Sequence, residues 1–414
     1  MLILRLLKES IMFALQSLRA NKLRTLLSLS GITIGIFAMI SVFTVIDSLE
    51  KEIRNSVSQL GDDVIYVQKW PWEFSQDYAW WKYLKRPVPS MEEYQAIKNR
   101  ARHIKSCTFM ASTRQTISRQ DRSTTNTGVL IATHDYQENR AFDIARGRYF
   151  TESEAYQGQN LAIIGSDVAR DLFPFSNPVG KTIKINGNRI YVIGVFEKEG
   201  QSMISSSHDQ LVLMMANYGK RIYNIDGQNL NPMIMVTAAD DASIDQINDE
   251  LEIILRSERR LKPMEEADFA LNRASMISQG IDKIFATIDI AGIIIGGFAI
   301  LVGGFGIANI MFVSVRERTR IIGIQKAIGA RNGFILTQFL FEAIVLSMIG
   351  GILGLILIWI GTLIGSQLSG FNLVLGFNNI LAGLLISGVI GILSGFLPAR
   401  QAARLDPVIA MGKA

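Results

Sequence analysis

Four apolar spans, distributed unevenly along the chain, constrain its fold more than any other feature. A helix needs about 20 apolar residues to cross about 30 Å of hydrocarbon. One such span lies near the start and three lie in the last third, at 23–46, 290–315, 335–363 and 380–397. Between Arg331 and Arg400 the only charged residue is Glu342, whereas 47–289 carries charges throughout. This arrangement predicts a membrane protein with one large polar domain between its first two spans.

Basic residues flank the spans in a pattern that predicts orientation. They precede the first span, separate the second from the third and follow the fourth: Arg5, Lys8, Arg19, Lys22, Arg24; Arg316, Arg318, Arg320, Lys326, Arg331; Arg400, Arg404, Lys413. The connection 361–379 contains no Lys or Arg. By the positive-inside rule, both termini and the tail 398–414 lie in the cytoplasm. The block 47–289 then lies on the outer side of the membrane.

The segment 1–22 before the first span is amphipathic and predicts a helix in the cytoplasmic membrane interface. The alternative is an ordinary helix packed on another subunit. The first span is longer than the apolar core of a signal peptide, and no A-x-A-like cleavage site follows it. We therefore interpret it as an uncleaved anchor.

The polar block predicts an α+β domain in which a β-rich lobe is inserted. Strand-like runs occur at 63–68, 128–133, 160–165, 181–186, 189–196, 210–215 and 233–237, and helical patterns at 90–99 and from Ile244 to Leu255. Asn186-Gly187 is a hairpin signal, because both residues tolerate positive φ. The order of elements predicts that 60–120 and 232–275 pair, with 121–231 inserted between them.

Chemistry-bearing motifs are sparse in this block. Cys107 is the only cysteine, and the three histidines have no partner at metal-ligand spacing, so no metal and no catalytic group are expected. Gly180-Lys181-Thr182 is not a phosphate loop: position 175 is Phe175, where the motif needs a glycine, and a strand follows where a helix should begin. We therefore expect no ATPase and no cofactor on this chain.

A dense aromatic segment is the most unusual part of the block. Four of the five tryptophans lie within it: Trp70, Trp72, Trp80 and Trp81, together with Phe74, Tyr78 and Tyr83. Such residues pack in cores and in interfacial belts, and they also form binding hot spots. The first two interpretations describe structure alone. Our hypothesis is a contact surface for a substrate or partner.

The most specific sequence is the segment 316–331, which we call the elbow. Its basic first turn is followed by Ile321, Ile324 and Ile328 at helical spacing, and Gly329 predicts the end of the helix. A basic, partly apolar surface at the inner face of the membrane suits docking into a groove on a soluble partner. The alternative is that these basic residues only set the orientation of the neighbouring spans. That would explain the charges but not the spacing of the isoleucines.

Together, Asn21-Lys22-Leu23-Arg24-Thr25, the elbow and the tail Gly395-Phe396-Leu397-Pro398-Ala399-Arg400 resemble the MacB and FtsX family of ABC transporter permeases. The resemblance implies a porter-like pairing of the two halves and a homodimer driven by separate ATPase subunits, which bind the ATP and Mg. It also implies mechanotransmission, with the elbow as coupling helix: Arg316, Glu317, Arg318, Arg320, Ile321, Ile324, Lys326 and Arg331. Family members commonly carry Glu at the position of Ile321, so the ion pair to the ATPase is either missing here or replaced through Glu317.

Small residues within the spans predict close helix packing. Gly31 and Gly35 in the first span and Gly292 and Gly296 in the second have small-xxx-small spacing. Following the family, we place the dimer seam on these two spans. Glu342 is costly in lipid, so we expect it to pair with Arg331 or another arginine of the elbow.

Three functions are compatible with the resemblance. The leading one is an export permease for drugs, peptides or other envelope substrates, working with a periplasmic adaptor and an outer-membrane channel. The others are FtsX-like control of cell-wall hydrolases and release of lipoproteins. A membrane enzyme is disfavoured, because the polar block shows no catalytic constellation.

Overall fold

The computed structural model describes residues 22–58, 60–61, 63–73, 78–200, 207–369, 373–407 and 410. The interfacial helix expected at 1–22 therefore lies outside the described residues, except for Lys22. The chain divides into two compact units, one of Met1–Lys51 with Lys283–Ala414 and one of Glu52–Asp282. We call them the helical domain and the sheet domain.

The helices of the described residues, numbered in chain order, are α1 (Lys22–Ser58), α2 (Trp80–Tyr83), α3 (Met91–Arg100), α4 (Tyr136–Asn139), α5 (Glu152–Gln157), α6 (Ser166–Leu172), α7 (Ala216–Gly219), α8 (Ile244–Glu258), α9 (Ala274–Glu317), α10 (Thr319–Ala327), α11 (Asn332–Ser369) and α12 (Phe377–Ala403). Each predicted span lies inside one long helix, α1, α9, α11 or α12. All four are long and apolar enough to cross a membrane, which confirms the predicted span count. The helical domain packs around Ile32, Ile36, Ile307, Met311 and Phe339.

The strands are β1 (Val64–Gln68), β2 (Ile104–Arg119), β3 (Arg122–Ala132), β4 (Ile144–Gly147), β5 (Leu161–Ile164), β6 (Thr182–Ile185), β7 (Asn188–Phe196), β8 (Leu211–Met215), β9 (Met233–Ala238) and β10 (Ala270–Arg273). They form one mixed sheet in the order β10-β1-β9-β2-β3-β8-β5-β7-β4, with β6 pairing to β2 and β7. The first and last parts of the polar block do pair, since β1 lies antiparallel to both β9 and β10. The α+β class is confirmed.

All seven predicted strand runs are strands in the structure. The predicted hairpin is also present, between β6 and β7. Asn186 and Gly187 adopt φ of 49° and 79° between the paired residues Ile185 and Asn188. The helix expected at 90–99 is α3, and its Ser90 cap forms a reciprocal capping box with Glu93. The sequence did not predict β2, β4 or β10. In β2 both faces are buried from Ser106 to Phe109, so the alternation that marks a strand is missing.

β2 is a long strand that connects the part of the sheet formed by β1, β9 and β10 to the part formed by β3 to β8. Its first half pairs with β9, from Ile104 to Met110, and its second half pairs with β3 and β6. Helices α3 and α8 contribute Ile97, Ile247 and Leu251 to the core beneath β1, β2 and β9. The inserted lobe is therefore an extension of the same hydrogen-bonded sheet.

Candidate functional site

The elbow is a short helix between two tight backbone turns. α9 ends at Glu317, Arg318 takes a non-helical conformation and α10 then runs from Thr319 to Ala327. At its end Gly329 has φ of 103°, its N–H donates to the Lys326 carbonyl, and the Ala330 N–H donates to the Gln325 carbonyl. This is a Schellman motif. The predicted stop at Gly329 is confirmed, because a residue with a side chain is strained at that φ.

Internal contacts anchor the elbow to two other helices. Arg318 Nη1 lies 3.3 Å from Glu342 Oε2 of α11, and Glu342 is buried. Lys326 Nζ donates to the carbonyls of Ala403, the last residue of α12, and of Leu405 just after it, at 2.7 Å each. Buried Ile322 packs into the core of the helical domain. Glu342 does pair with an elbow arginine, and that arginine is Arg318, not Arg331.

These contacts separate the predicted coupling residues into two groups. Arg318 and Lys326 bond to groups of the same chain, and these bonds hold the elbow against α11 and the end of α12. The exposed group is Arg316, Glu317, Arg320, Ile321, Ile324 and Arg331. Ile321, Ile324 and Ile328 are 55%, 45% and 83% exposed. Their spacing places them on one side of α10, so this side of the elbow combines apolar and basic groups.

Sequence reasoning missed two contributors to the elbow. Exposed Phe334, in the first turn of α11, extends the apolar surface beyond Ile328. Ile322 is buried although it lies directly beside exposed Ile321. The apolar residues at 321, 322, 324 and 328 cannot all share one side of a helix with 3.6 residues per turn. That mismatch was the available signal that one of them faces inward.

Three of the four predicted packing glycines bring α1 and α9 together within this chain. A Cβ on Gly35 would lie 2.7 Å from the Ala299 carbonyl oxygen, and one on Gly296 would lie 2.6 Å from Met39 Cγ. A Cβ on Gly292 would be in ordinary contact with Phe43 and its neighbours, at 3.5 Å. At Gly31 a Cβ would meet no described atom within 4 Å.

The tryptophans of the aromatic segment fall into a packed pair and an exposed pair. Trp72 is 5.0 Å from Tyr66 between ring centroids, and its backbone N–H donates to Asn272 Oδ1 at 2.8 Å. Trp70 is half-buried and makes an edge contact with Tyr83. Trp80 and Trp81 are exposed. Packing within the domain accounts for Trp70 and Trp72, so only Trp80 and Trp81 remain accessible to a substrate or partner. Phe74 lies outside the described residues.

The titratable groups of the sheet domain are largely structural. Cys107 is buried, and burial raises the pKa of its thiol far above the usual range. His208 is fully buried, with Nδ1 2.6 Å from Glu199 Oε1 and Nε2 2.9 Å from the Tyr136 hydroxyl. Among the described residues no group of three or more His, Cys, Asp or Glu side chains is placed to hold a metal ion.

Two family models together match most of the chain. The MacB-like periplasmic core domain matches residues 25–254, and the FtsX-like permease C-terminal domain matches residues 293–407. The division between the models falls near the start of the second span. The elbow lies within the second matched region, and the first covers the sheet domain as far as residue 254, within α8.

Curated relatives of two kinds are similar to this chain. The macrolide export ATP-binding/permease protein MacB of Bdellovibrio bacteriovorus is 31% identical over 400 residues, which cover 96% of this chain and 60% of that protein. The ABC transporter permease YknZ of Bacillus subtilis is 30% identical over 411 residues, covering 97% of this chain and 98% of YknZ. The crystal structure of the periplasmic region of MacB from Actinobacillus actinomycetemcomitans covers 56% of this chain and 98% of its own, at 18% identity and a TM-score of 0.45. The chain therefore belongs to the MacB/FtsX-like family of ABC transporter permeases.

Proposed function

We propose that this chain transmits ATP-driven motion of a separate ATPase subunit to its sheet domain, in order to export substrates from the cell envelope. ATP and Mg would bind the ATPase, not this chain. MacB relatives carry "macrolide export" in their names, which supports export of drugs, peptides or other envelope substrates. A periplasmic adaptor and an outer-membrane channel would complete the path.

The elbow is the observation that carries this proposal. A surface that receives force must be accessible on one side and rigidly attached on the other. The accessible side holds Ile321, Ile324 and Ile328 with exposed arginines beside them. The attached side holds buried Ile322 and the Arg318–Glu342 pair, and the Lys326 ammonium binds two carbonyls at the C-terminal end of α12. Displacement of α10 would therefore pull on α11 and α12 together.

The orientation follows from charge. The elbow and the end of α12 carry exposed Arg316, Arg320, Arg331, Arg400 and Arg404, which the positive-inside rule assigns to the cytoplasm. Both termini would then be cytoplasmic and the sheet domain would be outside. We propose a homodimer whose seam includes α1 and α9; Gly31 suits that seam, because no described atom of its own chain lies near its Cα face.

A crosslinking experiment tests whether the elbow contacts an ATPase. Cys107 is buried, so Ile328→Cys would supply the accessible thiol. A maleimide–benzophenone reagent applied to permeable membranes should then capture an ATP-binding-cassette protein. Phe175→Cys, on an exposed residue of the sheet domain, is the matched control and should capture none. Capture from both positions, or from neither, would contradict the assignment.

A second experiment tests force transmission. Arg320→Glu and Ile324→Pro should each abolish stimulation of the captured ATPase by this chain, while the protein remains in the membrane. Arg400→Glu makes the same charge change on an exposed residue outside the elbow and should preserve stimulation. Arg318→Glu is a poorer choice, because it would also break the pair with Glu342. Normal stimulation in the elbow variants would exclude α10 as the coupling helix.

A further inference from the structure

The sheet domain contains a basic pocket that the transport proposal does not use. It lies where the β2–β3 turn, the segment before β6 and the β6–β7 hairpin converge, and its volume is about 440 Å³. Its lining residues are Ser118, Arg119, Gln120, Gly180, Lys181, Thr182, Lys184 and Arg189. Four of these carry positive charge and none carries negative charge. Hydroxyl and amide groups supply the remaining polar side chains.

The strand register places like charges directly opposite each other at this pocket. Lys184 on β6 is paired with Arg189 on β7, and Arg119 on β2 is paired with Arg122 on β3. Directly opposed residues have Cβ atoms about 4.5–5.5 Å apart, and like charges at that distance are destabilising. Within the described residues none of these four cations forms an ion pair. The β6–β7 and β2–β3 hairpins each contain one such pair, and an anion bound between the hairpins would reduce this repulsion.

Internal contacts hold the Arg119 side chain and the Lys181 backbone in place without a ligand. Arg119 Nη1 donates to the Leu172 carbonyl at 3.1 Å, and its guanidinium carbon lies 4.3 Å from the centre of the buried Phe173 ring. The Lys181 backbone is fixed from both sides, since its N–H donates to the Pro178 carbonyl and its carbonyl accepts from the Val192 N–H. Ser118 lies opposite Lys184 in the register. Preorganisation of this kind reduces the entropy lost on binding.

We propose that this pocket binds a polyvalent oxyanion, that is, a ligand carrying two or more phosphate or carboxylate groups. Arginine and lysine form their strongest hydrogen bonds with such groups, and the volume admits more than one of them. Asp121 follows Gln120 in sequence and the Asp171 carbonyl accepts from Arg122, but neither carboxylate lines the pocket. This site is independent of the elbow, so it can exist whether or not the chain couples to an ATPase.

Calorimetry with the full chain in nonionic detergent at low salt tests the proposal. The probes are pyrophosphate and citrate, and at least one should bind saturably. Lys184→Ser with Arg189→Ser should weaken binding about tenfold or more. Arg146→Ser with Lys220→Ser removes the same charge from exposed positions outside the pocket and should leave affinity unchanged. Tighter pyrophosphate binding would assign the ligand to phosphates, and tighter citrate binding to carboxylates.

The absence of binding by both probes would overturn the proposal. Equal losses in the two double variants would also overturn it, because binding would then reflect net charge alone. Lysine acetylation of the unmodified chain remains informative if the pocket variant does not fold. The better probe should protect Lys181 and Lys184 but not Lys220; equal protection at all three lysines would exclude the pocket.

Discussion

The cores of the two domains are packed with side chains of different size. The sheet domain buries large aliphatic and aromatic side chains, such as Ile65, Phe109, Ile131 and Val212. The helical domain depends on small residues where its helices cross, as at Gly35 beside Ala299 and Gly391 beside Ile344. Water drives the first kind of packing. Lipid is as apolar as leucine, so helices in a membrane associate through close contact and specific polar bonds instead.

The ion pairs that join helices also differ between the two domains. In the sheet domain Arg259 bonds both carboxylate oxygens of Glu93, at 2.8 and 3.1 Å, and also binds Asp268. Both Arg259 and Glu93 are under one tenth exposed. In the helical domain Arg318 binds Glu342 at 3.3 Å and keeps part of its side chain accessible. The first pair joins α8 to α3 inside a core; the second joins the elbow to α11.

Breaking the Arg259–Glu93 pair should have the largest effect. Arg259→Ala leaves Glu93 buried and unpaired, which costs about 3–5 kcal/mol. Urea unfolding of the detergent-solubilised chain, followed by tryptophan fluorescence, measures this loss, since four of the five tryptophans lie at positions 70–81. Arg100→Ala removes an arginine from the more exposed pair with Glu258 and should cost below about 1 kcal/mol. Equal costs would show that burial does not distinguish the two pairs.

The next effect concerns the close helix contacts. In Gly391→Leu the new Cβ would lie 2.8 Å from Ile344 Cα and 3.1 Å from the Ala343 oxygen. Overpacking of this kind costs about 1–3 kcal/mol. At Gly388 on the same helix a Cβ would meet no described atom within 4 Å, so Gly388→Leu serves as the control. The fraction of each variant that stays monodisperse after heating should be lower for Gly391→Leu; the reverse order would refute the packing argument.

The smallest effect is a pH dependence confined to the sheet domain. Burial lowers the pKa of His208, and Arg140 lowers it further, whereas Glu199 and Asp209 act in the opposite direction. The unfolded chain then binds the proton more readily than the folded chain. Stability should therefore fall as the pH drops below about 6.5, the ordinary histidine value. His208→Gln should flatten this part of the curve in urea titrations. An unchanged slope in His208→Gln would contradict the argument.

Much of the fold was predictable because its signals are local. Seven strands, the Asn186-Gly187 turn and the Ser90 cap each depend on a few neighbouring residues. β2 escaped prediction because both of its faces are buried between Ser106 and Phe109. β4 and β10 contain at most one β-branched residue each, whereas the equally short β5 and β6 contain two or more. At the elbow, the stop at Gly329 and the exposed isoleucines were predictable, but the internal use of Arg318 and Lys326 depends on partners far along the chain.

The sequence by itself determined the four spans, the position of the polar domain and the basic elbow, because hydropathy and charge act through composition within a short window. Only the tertiary structure decided which cations remain available. It paired Arg318 with Glu342 and bound Lys326 to carbonyls 77 and 79 residues away. It also placed Arg119 of β2 in one pocket with Lys184 and Arg189 of the β6–β7 hairpin, and no acidic residue lines that pocket. Pairing and burial arise between residues distant in sequence, so no local pattern contains them.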